Sequence, residues 1–335
     1  MKNILKNTRK YMNITLAKGV FLDNVRTTIR FGKVGVSTRK FGHRWFCLPK
    51  GKALFKTYDG NNYYEIRKNR IVNEFICREL CKQIGIKVPD IEPATYKNIT
   101  GLISYDIEDK NKRLYSGEKL FKKVNLYYGS NHINDYVSAL NKLKTLGGYN
   151  IDIKKEYYNL FKIAVFDTLT MQTDRHINNL YFLIDKKTKE VTVAPLIDNE
   201  FAFFGQGLKF IIANGRTDVE KEMMPWFVKF AKYINVYDNN SPFEYNAPER
   251  YIASIAYCDL SLREILKDIL NKIEPHSAIE NVRKMDFEIP KEYEAYICKI
   301  ISTTKNEIVR LYNQTIQKKY NEHKNENLKV KGMER

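Results

Sequence analysis

The alternation of apolar and polar positions divides this chain into two unlike parts. Residues 29 to 58, "IRFGKVGVSTRKFGHRWFCLPKGKALFKTY", set apolar and aromatic pieces between Gly, Ser and Pro, a pattern that predicts two or three strands. "NRIVNEFICRELCKQIGI", residues 69 to 86, repeats apolar residues at helical spacing through Ile71, Val72, Phe75, Ile76, Leu80 and Ile84, which predicts a helix ending near Gly85. "ATYKNITGLISYDIE" predicts a hairpin whose second strand leads into a polar connection. From about residue 115 the period becomes mostly helical, through "YVSALNKLKTL" and the long "EYYNLFKIAVFDTLTMQT". Two strands then follow, "NLYFLID" and "VTVAPLID", joined by the charged turn "KKTKE". Helices are expected again from "KEMMPWFVKFAKYI" onward, and the last stretch, "NEHKNENLKVKGMER", reads as a frayed polar tail.

The pattern therefore predicts an α+β protein with a strand-rich amino-terminal part, residues 1–107, carrying one helix, and a larger mainly helical part, residues 108–335. A chain of 335 residues is long enough to bury a large core in either arrangement. No run approaches the roughly 18 apolar residues that a membrane-spanning helix needs. The amino terminus is basic, but Lys, Asn and Thr break its apolar run, so it makes a poor signal peptide. Five cysteines, Cys47, Cys77, Cys81, Cys258 and Cys298, form no paired framework and no zinc-like spacing. An odd count fits a reducing, cytoplasmic setting. The formal net charge of +18 at pH 7 suits phosphate-bearing partners, but Lys, Asn, Ile and Tyr are abundant together, as an AT-rich coding sequence produces without selection for binding. Charge alone changes the picture little.

Chemistry concentrates in "MQTDRHINNLYFL", where the long helix delivers the chain to a strand. Asp174 can take a proton from a hydroxyl, Asn179 offers a neutral oxygen, and Asp198, at the end of "VTVAPLID", offers a charged one. Oxygen donors of this kind, completed by phosphates and waters, suit Mg²⁺. Lys56 ends the strand "ALFK", and the following helix carries two acids, Glu74 and Glu79, of which only one need pair with it. They lie about 140° apart round a helix, and periodicity slightly favours Glu79, which falls near Val72 and Phe75. No GxxxxGK[ST] run exists, which removes the P-loop reading. "GKVGVSTRK" instead offers Gly35, Ser37, Thr38 and Lys40 as a loop able to meet phosphates. Each piece alone has an ordinary explanation as a solvated lysine, a polar turn or a helix cap. Their occurrence in this order, each on the expected element, does not.

Together, "TDRHINNLYFLI", "VAPLIDNEFAF" and "VNEFICRELCKQIGIKVPDIE" resemble the HipA-like serine/threonine kinases over about Gly35 to Phe203. The DRHxxN core is also similar to that of phosphatidylinositol 3- and 4-kinases. The resemblance implies a two-lobed, protein-kinase-like fold that transfers phosphate from ATP, with Mg²⁺, to Ser or Thr hydroxyls of a protein substrate, itself included. By that resemblance Lys56 holds the ATP phosphates and Glu74, rather than Glu79, is its partner. Asp174 is the catalytic base, His176 braces the catalytic loop beside it, and Asn179 and Asp198 bind Mg²⁺. Ser37 and Lys40 belong to the loop over the phosphates, and the hinge meeting adenine falls at Ser104, Tyr105, Asp106 and Ile107. About 34 residues precede the phosphate loop, so the chain resembles the short, stand-alone members. Asp198 is followed by "NEF" rather than the "FG" of lipid and protein kinases, which favours the HipA branch.

Many such kinases are toxins of toxin–antitoxin modules, so a cognate antitoxin is an implied partner and nucleic acid an indirect one. Two rivals are a lipid kinase with the same DRHxxN motif and a non-catalytic binding module on a kinase scaffold. Against the second, every residue needed for transfer is present.

Overall fold

The computed structural model describes residues 11–16, 20–26, 44–48, 51–56, 64–96, 99–125, 133–172, 175–204, 248–285 and 287–333. The first sheet is antiparallel throughout, with strands β1 (Tyr11–Leu16), β2 (Val20–Arg26), β3 (Arg44–Leu48), β4 (Gly51–Lys56), β5 (Ile91–Tyr96) and β6 (Ile99–Tyr105) in the order β2-β1-β5-β6-β4-β3. The expected hairpin is here, β5 with β6, and the expected strands β3 and β4 pair as another. The pair β1 and β2 was hidden in sequence, because Lys, Asn and Thr interrupt its apolar positions.

Helix α1 (Tyr64–Gln83) is the helix that apolar spacing predicts. Its end is set by Gly85 at φ +70°, a left-handed conformation that glycine adopts without a side-chain clash. Phe75, Ile76, Cys77, Leu80 and Cys81 on this helix are fully buried.

The second sheet is β7 (Lys112–Ser116), β8 (Tyr181–Asp185) and β9 (Val191–Val193), antiparallel and in chain order. β7 lies in a segment expected to be helical or loop. Its "KRLYS" has too few apolar positions to show a period, and it becomes a strand by pairing with β8. β9 is shorter than "VTVAPLID" suggests. The Ala194 N–H still donates to the Tyr181 carbonyl of β8, but Pro195 has no N–H for a ladder, and beyond it the Leu196 N–H donates to the Lys87 carbonyl at 2.7 Å.

Helices α2 (Gly117–Phe121) and α4 (Ile153–Leu169) pack against this sheet, and α3 (Ile133–Gly147) packs against both helices. They are followed by α5 (Pro248–Cys258), α6 (Leu260–Lys272), α7 (Pro275–Arg283) and α8 (Lys291–Met333). The expected helix "KEMMPWFVKFAKYI" lies outside the described residues. The expected frayed tail is corrected: α8 runs on to Met333. Nothing in "NEHKNENLKVK" breaks a helix, since Pro is absent, and Glu, Lys and Leu are good helix formers.

One apolar core runs through both parts, from Ile71 on α1 to Ile308 on α8. Helix α1 packs against α7, and the two are pinned where the Gln83 amide donates to the Glu274 carbonyl at 3.0 Å while accepting the Glu274 N–H at 2.8 Å. The one helix of the strand-rich part is thus seated on the helical part in space. Among the described residues no helix is long and apolar enough to cross a membrane.

Candidate active site

Lys56 closes β4 beside Leu102 of β6, and its side chain runs into the interior, where only 7% of the residue is exposed. A buried ammonium needs anionic partners, and two side chains supply them. Nζ donates to Glu74 Oε1 at 3.1 Å and, in a short contact, to Asp198 Oδ1. Burial alone would lower the lysine pKa, but Asp198, Glu74 and Glu200 outweigh it and hold the group above the usual range. Glu79 is elsewhere, paired with Arg78 at 2.8 Å and Lys82 at 2.9 Å. The periodicity preference for Glu79 is therefore corrected in favour of Glu74. Helical phase measures closeness to the core, and Glu74 is buried because it has a cation to meet there.

Glu74 also fixes the loop that carries Asp198. Its second oxygen accepts the Asn199 N–H at 3.1 Å. The neighbouring Asn73, fully buried, donates to the carbonyls of Ala202 at 2.9 Å and Glu200 at 3.3 Å and accepts the Tyr293 hydroxyl of α8. Gln172 holds the Asp198 carbonyl at 3.1 Å. Asp198 itself has φ +56°, a left-handed conformation uncommon for residues with a side chain and typical of backbones held in place at functional sites.

The DRHxxN segment is organised by Arg175. Its Nη1 donates to the Asn179 carbonyl at 3.2 Å and the Ile197 carbonyl at 2.7 Å, so one nitrogen joins the loop of Asn179 to the residue before Asp198. Nη2 reaches Asn199 Oδ1 at 2.6 Å, and Nε meets the Asp167 carboxylate of α4 at 3.2 and 3.4 Å. Burial pushes the Asp167 carboxyl up to about 6 despite the guanidinium beside it. His176 is exposed, its Nδ1 accepting the Asn178 N–H at 3.2 Å and its Nε2 3.5 Å from the Asn179 side-chain nitrogen.

The structure thus brings Lys56, Glu74 and Asp198 together and ties Asn179 to them through Arg175. Ser104, Tyr105, Asp106 and Ile107 lie at and just beyond the end of β6. Ser104 is opposite Leu54, and Asp106 is held by Lys52 at 2.6 Å. Asp174, Ser37 and Lys40 lie outside the described residues. Sequence reasoning missed Arg175, Asp167, Asn73 and Glu200. Asp167 had left a signal, an acid inside the apolar helical run "AVFDTL", and Asn73 another, an amide beside the core positions of α1.

The donor set fits a hard cation. Three carboxylates, Glu74, Asp198 and Glu200, crowd Lys56, while Arg70 approaches Glu200 only at 3.8 Å. Burial raises the Glu200 pKa against the pull of Lys56. Among the described residues no three His, Cys, Asp or Glu side chains form a metal cage. Mg²⁺ needs none where one or two carboxylates share it with substrate phosphates.

The model of the HipA-like C-terminal domain family matches residues 39–259, well over half of the chain. No curated protein matches. Among solved structures, the Helicobacter pylori proinflammatory kinase CtkA superposes with a TM-score of 0.64 at 18% identity, over 87% of this chain and 96% of that one. HipA of Shewanella oneidensis MR-1, in its toxin–antitoxin complex with HipB and operator DNA, gives a TM-score of 0.43 at 14% identity, over 84% of this chain and 65% of that one. With a kinase-like fold and the family match spanning β4, α1 and the Asp198 loop, this chain belongs to the HipA-like C-terminal domain family.

Proposed function

We propose that this chain is an ATP- and Mg²⁺-dependent protein kinase that phosphorylates Ser or Thr hydroxyls, its own included. The observation that carries the reading is the buried Lys56, gripped by Glu74 from α1 and Asp198 from the loop after β9. An ammonium has three protons to donate. Two are engaged by these carboxylates, and the third remains for a nucleotide phosphate. Glu74 keeps Lys56 in register with the Asp198 loop, since it holds both. Asp198 and the side-chain oxygen of Asn179 would hold Mg²⁺, which when bound supplies positive charge to the phosphates. Asp174 would accept the hydroxyl proton, and the next residue, Arg175, is tied to α4 and to Ile197. His176 would brace that loop from the solvent side. Ser37 and Lys40 would close over the phosphates, and residues 104–107 would meet adenine. On this reading the boundary between lobes falls at residues 107 and 108, between β6 and β7. The partners are a protein substrate and a cognate antitoxin, with nucleic acid reached only through the latter.

Intact-mass measurement after incubation with Mg·ATP tests this: added phosphate is expected on the wild type. Labelled ATP with lysate proteins or phosphoinositide vesicles separates protein from lipid transfer. An unchanged mass with no transfer to either would sink the kinase reading. The two aspartates should then part company. Asp198→Asn should weaken Mg·ATP binding and turnover together, with partial recovery at higher Mg²⁺. Asp174→Asn should keep Mg·ATP affinity and lose most transfer. Calorimetric titration of both variants at two Mg²⁺ concentrations checks the assignment.

A further inference from the structure

A second cavity, of about 270 Å³, opens at the other end of β8 from the site just described, lined by Arg113, Tyr115, Tyr149, Ile184, Lys186 and Lys189 together with Asp185 and Gly147. Burial, and after it the charge of Asp198, raises the pKa of Tyr181 at the start of β8, whereas the cavity surrounds the end of the strand at Ile184 and Asp185. Four strand steps of ~3.3 Å put roughly 13 Å between them. The cavity is therefore no part of the nucleotide site.

Its walls are built before any ligand arrives. Lys123 donates to the Tyr149 hydroxyl at 2.8 Å and stands 5.2 Å and 5.4 Å from the ring centres of Tyr115 and Tyr149, fixing both tyrosines. Lys186 donates to the Lys110 carbonyl at 2.5 Å, tying the turn after β8 to the loop before β7. Ile184 is the buried floor.

The charge is lopsided. Arg113, Lys186 and Lys189 face a single lining carboxylate, Asp185, whose Oδ1 already accepts the N–H groups of Lys187 and Thr188 at 2.8 and 2.9 Å. Arg113 has one longer contact, 3.4 Å, to Glu108, and Lys189 has no carboxylate partner among the described residues. Three cationic residues in the lining of one pocket suit a dianion better than a carboxylate, and the guanidinium fork of Arg113 matches phosphate oxygens in pairs.

We propose that this cavity is a docking site for a phosphoserine or phosphothreonine side chain of a polypeptide, separate from the site of transfer. A nucleotide fits less well. The volume lies below the usual ~300–1,000 Å³ of small-molecule sites, and Lys123, 5.2 Å from the ring centre of Tyr115, takes up a face of that ring on which a base would stack. The proposal rests on the kinase reading for its biological sense, since a docked phosphate would bring an already phosphorylated protein to the enzyme, but the binding itself needs neither ATP nor Mg²⁺.

The test is fluorescence anisotropy of the full chain with a pool of labelled phosphoserine peptides of randomised flanks, against the matched serine pool, without nucleotide. The phosphoserine pool should bind at least tenfold tighter. Binding should fall to the serine level in the double variant Arg113→Ala, Lys189→Glu, and several-fold in Arg113→Lys, which keeps the charge and loses the fork. Lys56→Ala should leave it unchanged, so that a failed kinase reading and a failed docking site give different results. An unaltered melting temperature in the surface variants shows that they fold. Equal binding of the two pools, survival of binding in the double variant, or equally tight binding of AMP or a single-stranded oligonucleotide would overturn the proposal.

Discussion

At the scale of single residues, the site depends on charges placed where water cannot compensate them. Lys56 and Glu74 are each almost fully buried, so removing either leaves the other with an incomplete set of partners. Glu74→Ala should cost on the order of 3 kcal/mol in transfer, about a hundredfold in rate. The double variant with Lys56→Ala should cost little more than the worse single one, because both act through one pair. Glu79→Ala, whose partners Arg78 and Lys82 reach the surface, should leave transfer within a few-fold. Initial rates of the four proteins check this. Glu79 essential and Glu74 dispensable is the contrary outcome.

Asp167 carries a pH signature. Its folded pKa, about 6, stands above the ordinary 3.8, so the folded state keeps a proton that the unfolded chain releases. Its contribution to stability is therefore complete below about pH 4 and is lost as pH rises to about 6, at most about 3 kcal/mol. Denaturant midpoints of wild type and Asp167→Asn across that window should converge at one end and part at the other. Parallel profiles would show that Arg175 compensates the carboxylate fully.

At the scale of elements, what matters is how closely neighbours approach. Gly101 on β6 has no room for a Cβ, which would meet the Lys56 carbonyl in a hard clash and the Phe55 ring at 2.7 and 2.8 Å. Both obstacles are in β4, one of them main chain, so Gly101→Ala must push β4 aside. We expect a destabilisation of about 2 kcal/mol and weaker Mg·ATP binding as Lys56 moves with its strand. Thermal melting and calorimetric titration read the two effects separately. The length of β9 belongs to this scale too, for Pro195 frees the following residues from the ladder and lets Asp198 take its left-handed turn.

At the scale of the molecule, the site depends on residues far apart in sequence. Tyr293, on α8, donates its hydroxyl to Asn73, the neighbour of Glu74 on α1, and Asn73 in turn holds the backbone after Asp198. Tyr293→Phe keeps the packing and removes the donor. It should lower stability by about 1–2 kcal/mol, since a buried amide oxygen loses its partner, and it should also raise the ATP requirement of the reaction. Stability lost with the ATP requirement unchanged would mean that α8 supports the core alone.

The local elements were written in the chain wherever one physical period dominated. Apolar spacing determined α1 and α4, alternation and turn residues determined β4, β5, β6 and β8, and the segments around Lys56, DRHxxN and Asp198 pointed to the HipA-like family. Partnerships were not legible, because they depend on what arrives from elsewhere. β7 is a strand only against β8, β1 and β2 carry no clear period, and the polar end of α8 differs little in composition from a tail. Glu74 and Glu79 are the same residue type on the same helix, and phase alone favoured the wrong one. Only the folded chain brings Lys56 to Glu74 and Arg175 to the Asp198 loop. A buried charge is placed by its counter-charge, and here Asp198, which Lys56 meets, stands 142 residues away in sequence.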